Sequence, residues 1–77
     1  MTTDWMRRSL IIAPITEADR EAVRASQRIM GLDETGDLDS LTKSRLRGFQ
    51  TLLGLPVTGA LDHATADGLE RIRSHYA

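Results

Sequence analysis

Apolar positions recur at helical spacing in three stretches, the first two each closed by a short segment that carries glycine. The first stretch opens at Thr16, a residue type suited to an N-cap, with Asp19 at the third helical position, and is read as a helix running to about Met30. Val23, Ile29 and Met30 mark its buried stripe, with Ser26 inside it. The second helix is expected from about Ser40 to Leu53, with Leu46, Phe49, Leu52 and Leu53 on one buried stripe. The third is expected from about His63 to His75, with Thr65, Leu69, Ile72 and Tyr76 sharing a face. Gly31 and Gly54 sit where the first two helices end, because glycine accepts the left-handed conformation of a helix C-terminus. Residues 1–15 read as an extended arm ahead of a helical domain at 16–77. The connecting turns are too short and polar for strands of their own, and a two-residue bridge between them is the most they suggest.

The two connectors are nearly the same sequence. Laying Val23–Arg45 over Leu46–Gly68 without a gap pairs Arg24 with Arg47, Gln27 with Gln50, Gly31 with Gly54 and Leu32 with Leu55. It also pairs Thr35 with Thr58, Gly36 with Gly59, Leu38 with Leu61, Asp39 with Asp62 and Thr42 with Thr65. That register reads as a duplicated unit. Each copy carries a helix, a glycine stop, a turn needing positive φ at Gly36 or Gly59, a buried leucine (Leu38 or Leu61) and an aspartate cap (Asp39 or Asp62). Thr42 and Thr65 stand where a hydroxyl can bond back to the cap residue. The expected fold class is all-α: a three-helix bundle with a pseudo-twofold duplicated helix-turn unit, plus an extended N-terminal arm.

Composition narrows the function. The 77 residues make one small domain, with no cysteine for a disulfide, a thiolate ligand or a nucleophile. Ten basic residues against eleven acidic ones give a formal charge of −1, without the basic excess of a phosphate-binding nucleic-acid partner. The apolar run from Leu10 to Ile15 follows Arg7 and Arg8 but is too short for a signal peptide or a membrane span, and Pro14 interrupts it. The reading is synthesis in the cytoplasm without a signal peptide, with no membrane insertion, and with a virion as a candidate location.

The chemical candidates have structural counterparts. Asp39 and Asp62 occupy equivalent positions, so capping explains them better than an acid–base pair. His63 and His75 have neither the spacing nor the companions of a zinc site. No nucleophile–base pattern or phosphate loop is present, so neither catalysis nor a cofactor is expected. Arg20, Arg24 and Arg28 form a basic stripe, read first as a solvated face paired with Glu17 and Glu21 and second as a surface for acidic groups. Gln27 and Gln50 read first as buried amides that satisfy the adjoining turns, and second as ligand contacts. On the second readings Arg24, Gln27, Arg47 and Gln50 are the candidate ligand-binding set. Trp5, Leu10, Ile11, Ile12 and Ile15 place apolar mass in the arm, which either folds back over the small core or docks on a neighbouring protein. Trp5, Leu10, Ile11 and Ile12 are its candidate partner contacts.

The pattern V-R-x-x-Q-x-x-x-G-L-x-x-T-G-x-L-D-x-x-T, followed by L-R-x-F-Q-x-x-L-G-L-P-V-T-G-x-L-D-x-x-T, resembles the peptidoglycan-binding domain family from about Ile15 to Ile72. The second copy, FQTLLGLPVTGALDHAT, carries most of the likeness. Ser26 departs from the family's usual leucine, and the acidic pair Asp33–Glu34 from its usual neutral turn. The resemblance implies a compact three-helix module that binds bacterial cell wall without catalysis. The alternative is an interaction protein that reuses the fold, such as a bacteriophage virion accessory or head-decoration protein docking through its arm. Partners are therefore peptidoglycan or a protein within a larger assembly.

Overall fold

The computed structural model describes residues 5–6 and 10–76, with the side chain of Tyr76 outside the described set. The element order is β1 (Leu10–Ile11), α1 (Glu17–Met30), α2 (Ser40–Leu53), β2 (Leu61–Asp62) and α3 (His63–Tyr76). The molecule is mostly helical, with α3 packed against both α1 and α2 and one short two-stranded sheet.

Local chemistry sets the helix ends. Thr16 is in the extended region, its hydroxyl accepts the Asp19 N–H at 3.1 Å, and the Asp19 carboxylate accepts the Thr16 N–H in return. This reciprocal box satisfies N–H groups that the first turn leaves without helical partners. Asp19 Oδ2 also accepts the Ile15 N–H at 3.1 Å, which fixes the chain just before the helix. At the other end Gly31 (φ 76°) and Gly54 (φ 73°) take the left-handed conformation. Beyond each glycine a leucine N–H reaches back to a glutamine carbonyl, Leu32 to Gln27 and Leu55 to Gln50. Those bonds form a Schellman stop at both helices. Asp39 and Asp62 cap as expected, accepting the Thr42 and Thr65 N–H groups at 2.9 and 2.8 Å.

The buried apolar side chains are Met6, Ile11, Ala22, Val23, Met30, Leu38, Leu46, Leu61, Ala66 and Leu69, with Trp5, Ile29, Leu32 and Phe49 packed against them. Leu52 was expected on the α2 stripe but is 73% exposed. The buried positions of α2 are Thr42, Leu46 and Gln50, spaced one turn apart, and Leu52 lies two residues beyond Gln50, roughly 200° round the helix. Phe49 and Leu53 flank the stripe and are half-buried. Thr65 and Leu69 of the expected α3 face are buried and Ile72 is half-buried, while the side chain of Tyr76 lies outside the described residues.

The short sheet also differs from expectation. It joins the arm to the second turn, and not one turn to the other: β1 pairs antiparallel with β2, setting Leu10 opposite Asp62 and Ile11 opposite Leu61. Alternation along the strand sends Ile11 into the core and leaves Leu10 outside. Trp5 follows Ile11 inward, and its Nε1–H donates to Glu70 Oε1 on α3 at 3.2 Å. Ile12 and Ile15 are 65% and 79% exposed. The arm thus folds back through Trp5, Met6 and Ile11 and presents Leu10, Ile12 and Ile15 outward.

Candidate functional site

Gln27 and Gln50 organise the two connectors. Both are fully buried. The Gln27 amide nitrogen donates to Thr35 Oγ1 (3.0 Å), the Asp37 carbonyl (3.0 Å) and Thr42 Oγ1 (3.1 Å), and its oxygen accepts the Gly36 N–H at 3.0 Å. The Gln50 nitrogen donates to Thr58 Oγ1 (3.1 Å), the Ala60 carbonyl (3.0 Å) and Thr65 Oγ1 (3.1 Å). Its oxygen accepts from the N–H groups of Thr58 and Gly59, both at 3.0 Å. Each amide nitrogen has two protons and meets three acceptors, so a proton is shared and no donor capacity is left over; the Gln50 oxygen takes two N–H groups and the Gln27 oxygen one. A buried amide committed to its turn in this way is closed to a ligand in this conformation, and the structural reading describes both glutamines.

Gly36 (φ 81°) and Gly59 (φ 74°) bring the turn N–H groups onto these oxygens. The same turns carry a second layer of contact. A Cβ built on Gly36 would fall 2.7 Å from Arg24 Nη1, and one on Gly59 would fall 3.0 Å from Arg47 Nη1. Arg24 and Arg47 therefore lie across the two glycine turns in the same manner.

Their electrostatic surroundings differ. Arg24 Nη2 pairs with Glu17 Oε2 and Glu21 Oε1, both at 2.5 Å. Arg20 pairs with Asp37 (2.9 Å) and Arg28 with Glu34 (2.7 Å), so those two reach across the turn and not along the helix. The Arg24 guanidinium holds the Glu21 carboxyl below the usual carboxylate range, and Arg28 does the same to Glu34. The basic stripe of α1 is thus a neutralised surface. Among the described residues, no carboxylate forms an ion pair with Arg47 or Lys43.

Of the arm candidates, Trp5 and Ile11 are committed to the core side, and Leu10 and Ile12 remain on the surface. A shallow apolar hollow on α2 is lined by Arg45, Gly48, Phe49 and Leu52. Sequence patterning missed Met6, which is buried, and Glu70, which takes both the Trp5 N–H and an ion pair from Arg73 at 2.8 Å. No local periodicity announces the Trp5–Glu70 bond, since the two residues lie at opposite ends of the chain. Among the described residues, no group of three or more His, Cys, Asp or Glu side chains is placed to hold a metal ion, and no helix is long and apolar enough to cross a membrane. No family model, curated protein or solved structure matches the chain.

Proposed function

We propose that the chain is a duplicated helix-turn unit folded as a three-helix bundle, and that it works as a non-catalytic module binding bacterial peptidoglycan. The observation that supports this most is the recurrence of one hydrogen-bond station, centred on Gln27 and again on Gln50, with partners at matching positions. The residues that build the station are those on which the resemblance to peptidoglycan-binding domains rests. They are consumed in holding the two turns, so ligand contacts fall to the surface above the turns, where Arg47 lies. Calorimetric titration of the full chain with enzymatically solubilised peptidoglycan fragments tests the reading: saturable heat is expected, and a flat isotherm at millimolar fragment would refute it.

A second reading, an interaction protein of a virion or other assembly, draws support from Leu10, Ile12 and Ile15, which the folded-back arm leaves outward. On that reading the arm keeps the small core closed and offers its other face to a neighbour. A flat isotherm with wall fragments, combined with self-association or co-assembly lost on Ile12→Asp, would favour it.

A further inference from the structure

The register between the two copies shows what α2 lacks. Glu17, Glu21, Glu34 and Asp37 neutralise the basic stripe of α1. Their counterparts in the second copy are Ser40, Ser44, Val57 and Ala60, none of them acidic. Two of the three basic positions keep their charge, as Lys43 for Arg20 and Arg47 for Arg24. Arg47 occupies the station over Gly59 that Arg24 occupies over Gly36, and both Lys43 and Arg47 are exposed.

The first copy therefore demonstrates what a guanidinium at this station does: Arg24 gathers two carboxylates with one nitrogen. These carboxylates project from positions one helical turn apart, whose Cβ atoms are roughly 6 Å from each other. We propose that Arg47, with Lys43 beside it, is a receptor for the carboxylates of an acidic peptide, which take the places that Glu17 and Glu21 fill against Arg24. The two serines remove competing charge and bulk while leaving hydroxyls that can donate to a bound carboxylate. Val57, half-exposed where the first copy has Glu34, adds an apolar contact beside the charge. Guanidinium matches carboxylate geometry in a two-pronged way that an ammonium does not, so Arg47 contributes more than Lys43. Under the wall-binding reading the peptide is the acidic stem of peptidoglycan, but the site itself rests on the charge comparison alone.

The test is a nitrogen-15 NMR titration of the full chain with glutarate as the simplest paired carboxylate, following Arg47 Nε–H and the amides of residues 57–59. Saturable shifts are expected there and not at Arg24. Arg47→Gln should weaken the response by about tenfold, the factor carried by about 1.4 kcal/mol, and Lys43→Gln by less. Arg24→Gln should leave it unchanged. Arg47 is exposed and Arg24 half-buried, and an unchanged amide spectrum elsewhere certifies the fold of each variant. No response at Arg47, or an equal response in Arg47→Gln, overturns the assignment. A glutarate response without binding to wall fragments keeps the site and removes the wall-binding function. Fragment binding that ignores Arg47→Gln keeps the function and removes the site.

Discussion

Replacing Gln50 by leucine asks how much of the fold depends on one buried amide. The substitution nearly preserves volume and helix propensity, so its effect comes from the partners left behind. Gln50 meets the N–H groups of Thr58 and Gly59, the carbonyl of Ala60 and the hydroxyls of Thr58 and Thr65. Thr58 is exposed and can turn to water. The Gly59 N–H, the Ala60 carbonyl and the Thr65 hydroxyl are in buried or half-buried residues. Each buried group left without a partner costs about 1–3 kcal/mol, and the leucine returns part of that through apolar burial. The net loss expected is about 3–6 kcal/mol. A chain of 77 residues has a total stability of roughly 4–12 kcal/mol at typical values per residue. Gln50→Leu should therefore shift the urea midpoint far down or leave no folded baseline at 25 °C by circular dichroism. Gln27→Leu should act in the same direction, because its four bonds go to the turn positions equivalent to four of the five that Gln50 meets. A loss below about 0.5 kcal/mol at both positions would refute the reasoning, since that is the range of neutral surface changes.

Three other outcomes are open to direct measurement. Leu61→Ala should cost about 2–5 kcal/mol because Leu61 is fully buried, while Leu52→Ala, at an exposed site, should stay within about 0.5 kcal/mol; equal shifts in thermal melting would contradict the burial pattern. Gly59→Val should melt well below His63→Ala, because valine resists positive φ and its Cβ would press on Arg47 Nη1, and matching melting temperatures would count against the turn geometry. Stability should fall on acidification. Arg73 and the Trp5 N–H hold the Glu70 carboxyl below the usual carboxylate range, Arg24 and Arg28 lower Glu21 and Glu34, and the Thr42 N–H and hydroxyl lower Asp39. For carboxyls lowered in the folded state, the added stability is complete above the unfolded value of about 4 and disappears as pH drops through the lower folded value. Melting temperature should hold from pH 7 to about 5 and then decline, whereas a rise below pH 4 would reverse the assigned sign.

The helices were legible because their signals are local. Thr16 with Asp19, Asp39 with Thr42 and the left-handed glycines Gly31 and Gly54 act within a turn or two of the residues they bound, so reading them needs no knowledge of tertiary packing. The glutamines were legible for a related reason, since their turn partners lie only eight to fifteen residues away and stand at matching spacings after each glutamine. The arm was not. Whether Ile11 or Ile12 turns inward depends on pairing with Leu61, fifty residues on, and alternation within a two-residue strand carries no sign of its own. Leu52 failed for another reason: the adjacent Leu52 and Leu53 satisfy a helical stripe in more than one phase, and the buried Thr42 and Gln50 decide which. The ion pairs also departed from the simplest helical spacing, with Arg20 and Arg28 drawn to Asp37 and Glu34 because the glycine turn folds those carboxylates back over α1. Only Arg24 kept the expected partners. The difference between Arg24 and Arg47 is visible when the two segments are aligned, but its meaning appears only once both are seen across their turns.

The most direct test of the proposed wall-binding function is co-sedimentation of the full folded chain with insoluble peptidoglycan sacculi across a range of protein concentration, with solubilised fragments as competitor. Saturable pelleting that the fragments displace is the expected result. Pelleting no greater than that of an unrelated protein of similar charge would contradict it.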